Sequence, residues 1–374
     1  MRKTFKYRIF PTHKQTTALE QTLDGCRWLY NHLLEQRINS WESEKKSLSR
    51  FDQCNTFKQL KEDQPFLKNI HSQVLQNIAV RIDLAFRAFF RRVKSGDKPG
   101  YPRFRGKFRY DSFTYPQSGF KLLKNVVQLS KIGGVKIKLH RLIEGEIKTC
   151  TVRRTPTRKW FVTFACNLEH KPVEQPIEQA IGIDMGLMSF ATLSNGEQIE
   201  NPRFFRKEEK FLAKAQRKLS AQKKASKARA KARRVVARVH ERISNKRHDF
   251  THQESRKLVN KYNTICVEDL SINDMQKGNF RSINKSIGDA AWRQFLDLLV
   301  YKAAEAGKRT VKINPAYTSQ NCSRCGNRHK LKLSDRVYHC PICSLSLDRD
   351  VNASLNVLRL GLQSLGISVE AQQL

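Results

Sequence analysis

Apolar and polar residues alternate through "TFKYRIF" (Thr4–Phe10), and the alternation ends at Pro11. A period of two predicts a strand with one buried face. From Thr12 to about Val93 the period becomes helical. Thr12 supplies a cap, and Leu19, Leu23, Trp28 and Leu33 form an apolar stripe. A further helix from Ser72 carries Leu75, Ile78, Ile82, Phe86 and Phe89. Residues 111–168 return to short β-type runs separated by turn signals, which predicts a small barrel or sandwich. The first strand joins it, so the helical block is an insertion. The Pro- and Glu-containing stretch "EHKPVEQPIEQ" (Glu169–Gln179) reads as a linker.

Beyond the linker, "AIGIDMGLMSFATLSNGEQI" predicts two strands and the start of a third, with a hairpin turn at Asn195-Gly196. A long helical block follows from about Phe204 to Tyr262, with Val236, Val239, Ile243 and Phe250 on one face. "NTICVED" reads as a buried strand, "DAAWRQFLDLLVYKAAEAG" as a helix and "RTVKINP" as another strand. "DVNASLNVLRLGLQSLG" closes the chain as a helix.

Charge changes this picture from a fold to a partner. The 374 residues carry 71 Lys+Arg against 34 Asp+Glu, a formal net charge of +37. With 39% hydrophobic residues the chain is globular, and so large an excess calls for a polyanion. No apolar run is long enough to span a membrane. "MRKTFKYRIF" lacks the apolar core of a signal peptide, so a cytoplasmic, reducing setting is expected. Nine cysteines, five of them isolated, argue against a disulfide framework.

The charge is also concentrated. Arg87 to Arg109 holds nine Lys/Arg and one acid, interleaved with Tyr101, Phe104 and Phe108. Its Gly and Pro residues make it a loop. Arg103, Arg105, Lys107 and Arg109 are candidates for gripping a nucleic-acid backbone while the aromatic rings stack on bases. A solvated basic linker is the plain alternative. Arg203 to Arg247 holds 18 Lys/Arg and three acids, a local net of +15, and is read as lying along nucleic acid.

Two sets of side chains carry chemistry. Cys322-x-x-Cys325 and Cys340-x-x-Cys343 are separated by 14 residues. Four thiolates close a tetrahedral site, which means structural rather than hydrolytic zinc. The second set is Asp184 in "IGIDMGL", Glu268 ending "TICVED", and Asp350 before "VNASLNVL". Each stands where an element ends, the layout of a ribonuclease-H-like nuclease core. Hydrolysis of a phosphodiester needs both attacking and leaving oxygens stabilised, which carboxylate-held divalent cations provide. In an extended strand Asp269 points away from Glu268. Asp348 and Asp350 share a face if their segment is extended, and an Asp at position 350 also serves as a helix cap.

The motifs "GIDMGL", "VEDL", "NPAYTSQNCSRCG", "CPIC" and "DRDVNASLNVL", with N-terminal "FKYRIFPTHKQ", "RWLYNHLL" and "GYPRFRGK", resemble the TnpB proteins of bacterial insertion sequences, relatives of the Cas12 nucleases. The resemblance covers nearly the whole chain. It implies a multidomain α/β plus β architecture: a RuvC (ribonuclease-H-like) core, a wedge-type β-barrel, an inserted helical recognition domain and a zinc-ribbon-like insert. The expected boundaries are a first wedge strand at 1–10, the helical domain at 11–95 and the wedge barrel at 96–178. The RuvC core follows at 179–318, the zinc insert at 319–344, and the end of the core with its helix at 345–374.

The activity implied is that of an RNA-guided DNA endonuclease. Its guide RNA derives from the transposon end, and its double-stranded target is read beside a short motif. One site cuts both strands, with Mg²⁺ held by Asp184, Glu268 and Asp350; one protein per RNA is expected. Asp350 is preferred to Asp348 because the family acid directly precedes the "xNA" of "DVNAS". Gln73, Gln76, Asn77, Thr114 and Tyr115 are the candidates for reading the adjacent motif, since amides pair with adenine edges. A guided DNA-binding regulator without cleavage and a RuvC-fold transposase cutting transposon ends are the alternatives.

Overall fold

The computed structural model describes residues 1–169, 173–277, 279–332 and 334–367. The chain divides into two compact units, Met1–His170 and Lys171–Leu374. The expected linker, Glu169–Gln179, falls at their junction, and its residues 170–172 lie outside the described residues. Among the described residues no helix is long and apolar enough to cross a membrane.

In the first unit, strand β1 (Arg2–Phe10) leads into helix α1 (His13–Glu44). Thr12 and Gln15 form a reciprocal capping box at the helix start. Helices α2 (Arg50–Asn55) and α3 (Phe57–Asp63), a 3₁₀ turn (Pro65–Asn69) and helix α4 (Ser72–Lys94) complete the helical insertion. Strands β2 (Ser112–Tyr115), β3 (Phe120–Leu123), β4 (Val126–Leu129), β5 (Gly133–Lys138), β6 (Glu146–Arg154) and β7 (Trp160–Asn167) then join β1. The antiparallel sheet has the order β2-β6-β7-β1-β5-β4-β3. Its edges curl toward each other: the Tyr115 hydroxyl on β2 donates to the Ser130 carbonyl after β4. The alternation in β1 buries Phe5, Tyr7 and Ile9 in the barrel core.

The second unit is built on a five-stranded sheet of order β10-β9-β8-β11-β12. Its strands are β8 (Ala180–Met185), β9 (Ser189–Leu193), β10 (Gln198–Glu200), β11 (Thr264–Glu268) and β12 (Arg309–Ile313). β11 runs parallel to both β8 and β12. Every residue of β11 is buried, as its unbroken apolar run requires when both sheet faces are covered. Ile181, Ile183, Ile265 and Val267 pack on one face with Leu258, Phe295 and Leu299. Cys266 and Ile313 pack on the other with Val357, Leu358 and Leu362 of the closing helix, α10 (Arg349–Ser364).

Two helical expectations change. The block from Phe204 to Tyr262 is two helices, α5 (Phe204–Ser220) and α6 (Lys227–Lys261), packed through Leu212, Val239 and Ile243. A four-residue helix, α7 (Ile272–Met275), follows β11. The helix read from Asp289 to Gly307 breaks at Ala291 (φ 58°) into α8 (Arg281–Ala290) and α9 (Trp292–Glu305). The break leaves Asp289 free to accept from the Phe205 amide at 2.8 Å and to pair with Arg247 at 2.8 Å. The cysteine segment forms a hairpin of β13 (Val337–His339) and β14 (Ser346–Asp348), which runs past residue 344 up to α10.

Candidate active site and metal-binding cluster

Parallel pairing places the first two acids together. Val267 of β11 is the partner of Ile183 of β8, so Glu268 and Asp184 stand one step further along neighbouring strands. At that shared step both side chains leave the same face of the sheet. That face is the one α10 covers. A Cβ on Gly182 would stand 2.1 Å from the Ser354 carbonyl, and one on Gly361 2.2 Å from Cys266 Sγ. Two glycines thus let α10 lie directly on the sheet with its N-terminus at the ends of β8 and β11. Asp350, in the first turn, is brought beside Gly186: its Oδ2 is 4.0 Å from where a Cβ there would sit.

The structure separates the two neighbouring aspartates. Asp348 is the N-cap of α10, its side chain accepting from the amides of Asp350 and Val351. The segment from Arg349 is helical rather than extended, so Asp348 and Asp350 do not share a strand face. Asp269 is exposed and pairs with Lys312 at 3.0 Å.

Electrostatics match the crowding. Burial, and then the charges of Glu268 and Asp350, push the Asp184 carboxyl well above its usual range, with Arg349 opposing. Burial raises Glu268 against a hydrogen bond from Thr318. Asp350 is raised by burial and by Asp348. Among the described residues, no Lys or Arg forms an ion pair with any of the three. Three crowded, desolvated carboxylates with no Lys or Arg ion-paired to them among the described residues fit a hard divalent ion. Their oxygens are not drawn into one tight cluster, since among the described residues only the four cysteines bring ligand atoms within 4.8 Å of one another.

Three supports were missed in sequence. Thr318 donates to Glu268 Oε1 at 2.7 Å. Asn352 accepts from the Ser323 amide and donates to the Asn321 carbonyl, and Asn356 donates to the carbonyls of Thr318 and Asn321. Both asparagines are fully buried. Amides four apart inside an apolar helix were the available signal. They tie α10 to the start of the cysteine module.

Within that module Cys322 and Cys343 are 3.5 Å apart, as are Cys325 and Cys340. Backbone amides of Arg324 and Cys325 point at the Cys322 sulfur, and those of Ile342 and Cys343 at Cys340. Such amides favour thiolates: Cys340 falls to about 6, whereas burial outweighs them at Cys322 and pushes it up to about 12. Four sulfurs with amide support could bind zinc in a closed site. His329 and His339 are not members of the cluster.

The candidates in the first unit fare unevenly. α4 and β2 do lie against each other. Arg81 reaches across, donating to Asn77 Oδ1 (3.1 Å), Thr114 Oγ1 (3.0 Å) and the Ser112 carbonyl (2.7 Å). Asn77 and Thr114 are therefore engaged within the protein. Gln73 is bonded to the Ser118 amide, and Gln76 is exposed. Tyr115 corrects the expectation: alternation in β2 turns it into the barrel core, 1% exposed, where it cannot touch a base. Arg103, Arg105, Lys107 and Arg109 are all exposed on an irregular loop, held by Asn31 through both backbone groups of Arg105.

Comparison with known proteins completes the assignment. Residues 163–279 match the family model OrfB_IS605, described as a probable transposase, and residues 292–357 match the Cas12f1-like TNB domain. Residues 1–46 match a helix-turn-helix model of the same family, although here they form one strand and one long helix. A protein of Streptomyces pristinaespiralis named "Putative RNA-guided DNA endonuclease" is 36% identical over 370 residues, covering 97% of this chain and 90% of its own. InsQ of Escherichia coli K12, under the same name, is 29% identical over 96% of this chain and 92% of its own. The solved mini-RNA-guided endonuclease CRISPR-Cas phi3 shares the fold at a TM-score of 0.50 and 9% identity, covering 97% of this chain and 92% of that one. The chain belongs to the TnpB family.

Proposed function

We propose that the protein is an RNA-guided DNA endonuclease whose RuvC-type site is Asp184, Glu268 and Asp350. The observation that carries this reading is the convergence of the three acids at the ends of two parallel strands and one helix, with Asp184 raised by burial and then by the other two. The names of the relatives and the net charge of +37 support the nucleic-acid substrate.

In this reading the three carboxylates hold Mg²⁺, which when bound supplies Lewis-acid stabilisation of the attacking and leaving oxygens. Thr318 fixes the orientation of Glu268, and Asp348 fixes the helix turn that presents Asp350. The guide RNA comes from the transposon end, and pairing with it selects the target. The protein reads backbone and a short adjacent motif, for which the exposed Gln76 and its neighbours on α4 are the remaining candidates. Arg103, Arg105, Lys107 and Arg109 and the basic faces of α5 and α6 grip phosphates, so binding weakens steeply with salt. Both strands are cut in turn at the one site. The four cysteines hold structural Zn²⁺, one protein acts per RNA, and the setting is cytoplasmic.

The test is to sequence the RNA that copurifies with the protein and challenge the complex with a matched target in a library of randomised flanks. One defined RNA species with cleavage beside a fixed flank is expected. A defined RNA with binding but no cleavage supports the regulator instead, and cleavage of transposon ends without RNA supports the transposase.

A further inference from the structure

The first unit holds an open cavity of about 510 Å³ between α1, the 3₁₀ turn and the turn after β4. Its floor depends on Gly25, where a Cβ would stand 2.5 Å from Ile70 Cδ1. Its wall is aromatic. Trp28 meets Phe66 edge-on at 5.4 Å and stacks with His32 at 4.9 Å, which holds the indole in place. Its rim is polar: Gln21, Asp24, Asn69 and Lys131. Asp24 is paired with Arg27. The side chains of Gln21, Asn69 and Lys131 have no hydrogen bond or ion pair with other described residues, so they are available to a ligand.

The volume is that of a small-molecule site. An indole wall stacks on a base, a carboxamide matches the paired donor and acceptor on an adenine edge, and a lysine meets phosphate. A chain of charge +37 brings polyanions to this surface. We propose that the cavity takes one unpaired purine nucleotide of a bound nucleic-acid strand. The base lies against Trp28, Gln21 and Asn69 read its edge, and Lys131 meets the phosphate. The assignment is independent of the acid site in the second unit and survives if the nuclease reading fails.

The test uses the full-length protein labelled with 5-fluorotryptophan. Its four tryptophans are resolved by ¹⁹F NMR, with Trp28 assigned from Trp28→Phe. Titrations with AMP, ribose 5-phosphate, rA4 and dA4 are run in high salt, where diffuse attraction is screened. AMP is expected to shift the Trp28 resonance saturably and ribose 5-phosphate to leave it unmoved. The tetranucleotides shift the same resonance, and the tighter of the two identifies the strand as RNA or DNA. Asn69→Ala, an exposed position, should keep the melting temperature and weaken AMP about 5- to 10-fold. An unmoved Trp28 resonance, an equal effect of ribose 5-phosphate, or unchanged affinity in Asn69→Ala overturns the proposal.

Discussion

Asp348 caps the helix that carries Asp350: its Oδ1 accepts from the Asp350 amide at 2.9 Å and from the Val351 amide at 3.1 Å. One aspartate sets the first turn of α10, and the other uses that turn to reach the ends of β8 and β11. Replacing them should therefore have different signatures. Asp348→Ala is expected to cost about 1 kcal/mol of stability and to lower cleavage only several-fold. Asp350→Ala should leave the helix capped and reduce cleavage at least 100-fold. Thermal melts and single-turnover cleavage of both variants check this, and equal loss in the two would show that the roles are not divided.

Asp184 binds its proton more tightly in the folded chain than in the unfolded one, through burial and the charges of Glu268 and Asp350. Without metal, the native state therefore loses stability as pH rises from the ordinary carboxylate range near ~4 through the raised native value. Asp184→Asn removes that loss. It should melt higher than the wild type at neutral pH without metal, by about 1 kcal/mol or roughly 2–4 °C. It should match the wild type below about pH 3, where both states carry the proton. Added Mg²⁺ should raise the wild-type melting temperature and leave the variant unmoved. Calorimetric scans across pH, with and without Mg²⁺, measure this.

The seating of α10 rests on Gly182 and Gly361, where an added Cβ would stand 2.1 Å from backbone and 2.2 Å from a buried sulfur. Alanine at either position has to lift the helix, at about 3 kcal/mol. Asp350 then withdraws from Glu268 and Asp184, so cleavage should fall with stability even though no acid is changed. A Gly182→Ala protein with wild-type melting temperature and rate would contradict the close packing.

The cysteine module reaches the acid site through Asn352 and Asn356. Cys322→Ser should lower the zinc content from about one per chain toward zero and open residues 319–348 to protease. Cleavage should drop as well, because α10 loses the Asn321 carbonyl that both asparagines share. Zinc analysis and limited proteolysis test it, and unchanged metal content would remove the four-thiolate assignment.

The parts legible in the sequence were those written in a repeating period or a fixed spacing. Alternation in β1, the apolar run of β11 and the paired Cys-x-x-Cys motifs each depend on residues close together in the chain. What stayed hidden depended on partners far away. Ala291 looks like ordinary helix, and the break appears only beside Asp289, Phe205 and Arg247. Tyr115 resembles a surface reader until strand pairing fixes which way β2 faces. The choice between Asp348 and Asp350 turns on where one helix begins, a boundary that a hydrogen bond sets and composition does not.

The most direct measurement is linearisation of a supercoiled plasmid carrying a target matched to the copurified RNA, by wild type and Glu268→Gln side by side. The wild type should cut in Mg²⁺ and stop in EDTA. Glu268→Gln should retain the RNA and bind the target while cutting at least 100-fold more slowly. Cutting by Glu268→Gln at the wild-type rate, or by the wild type in EDTA, would contradict a divalent-metal nuclease site at Asp184, Glu268 and Asp350.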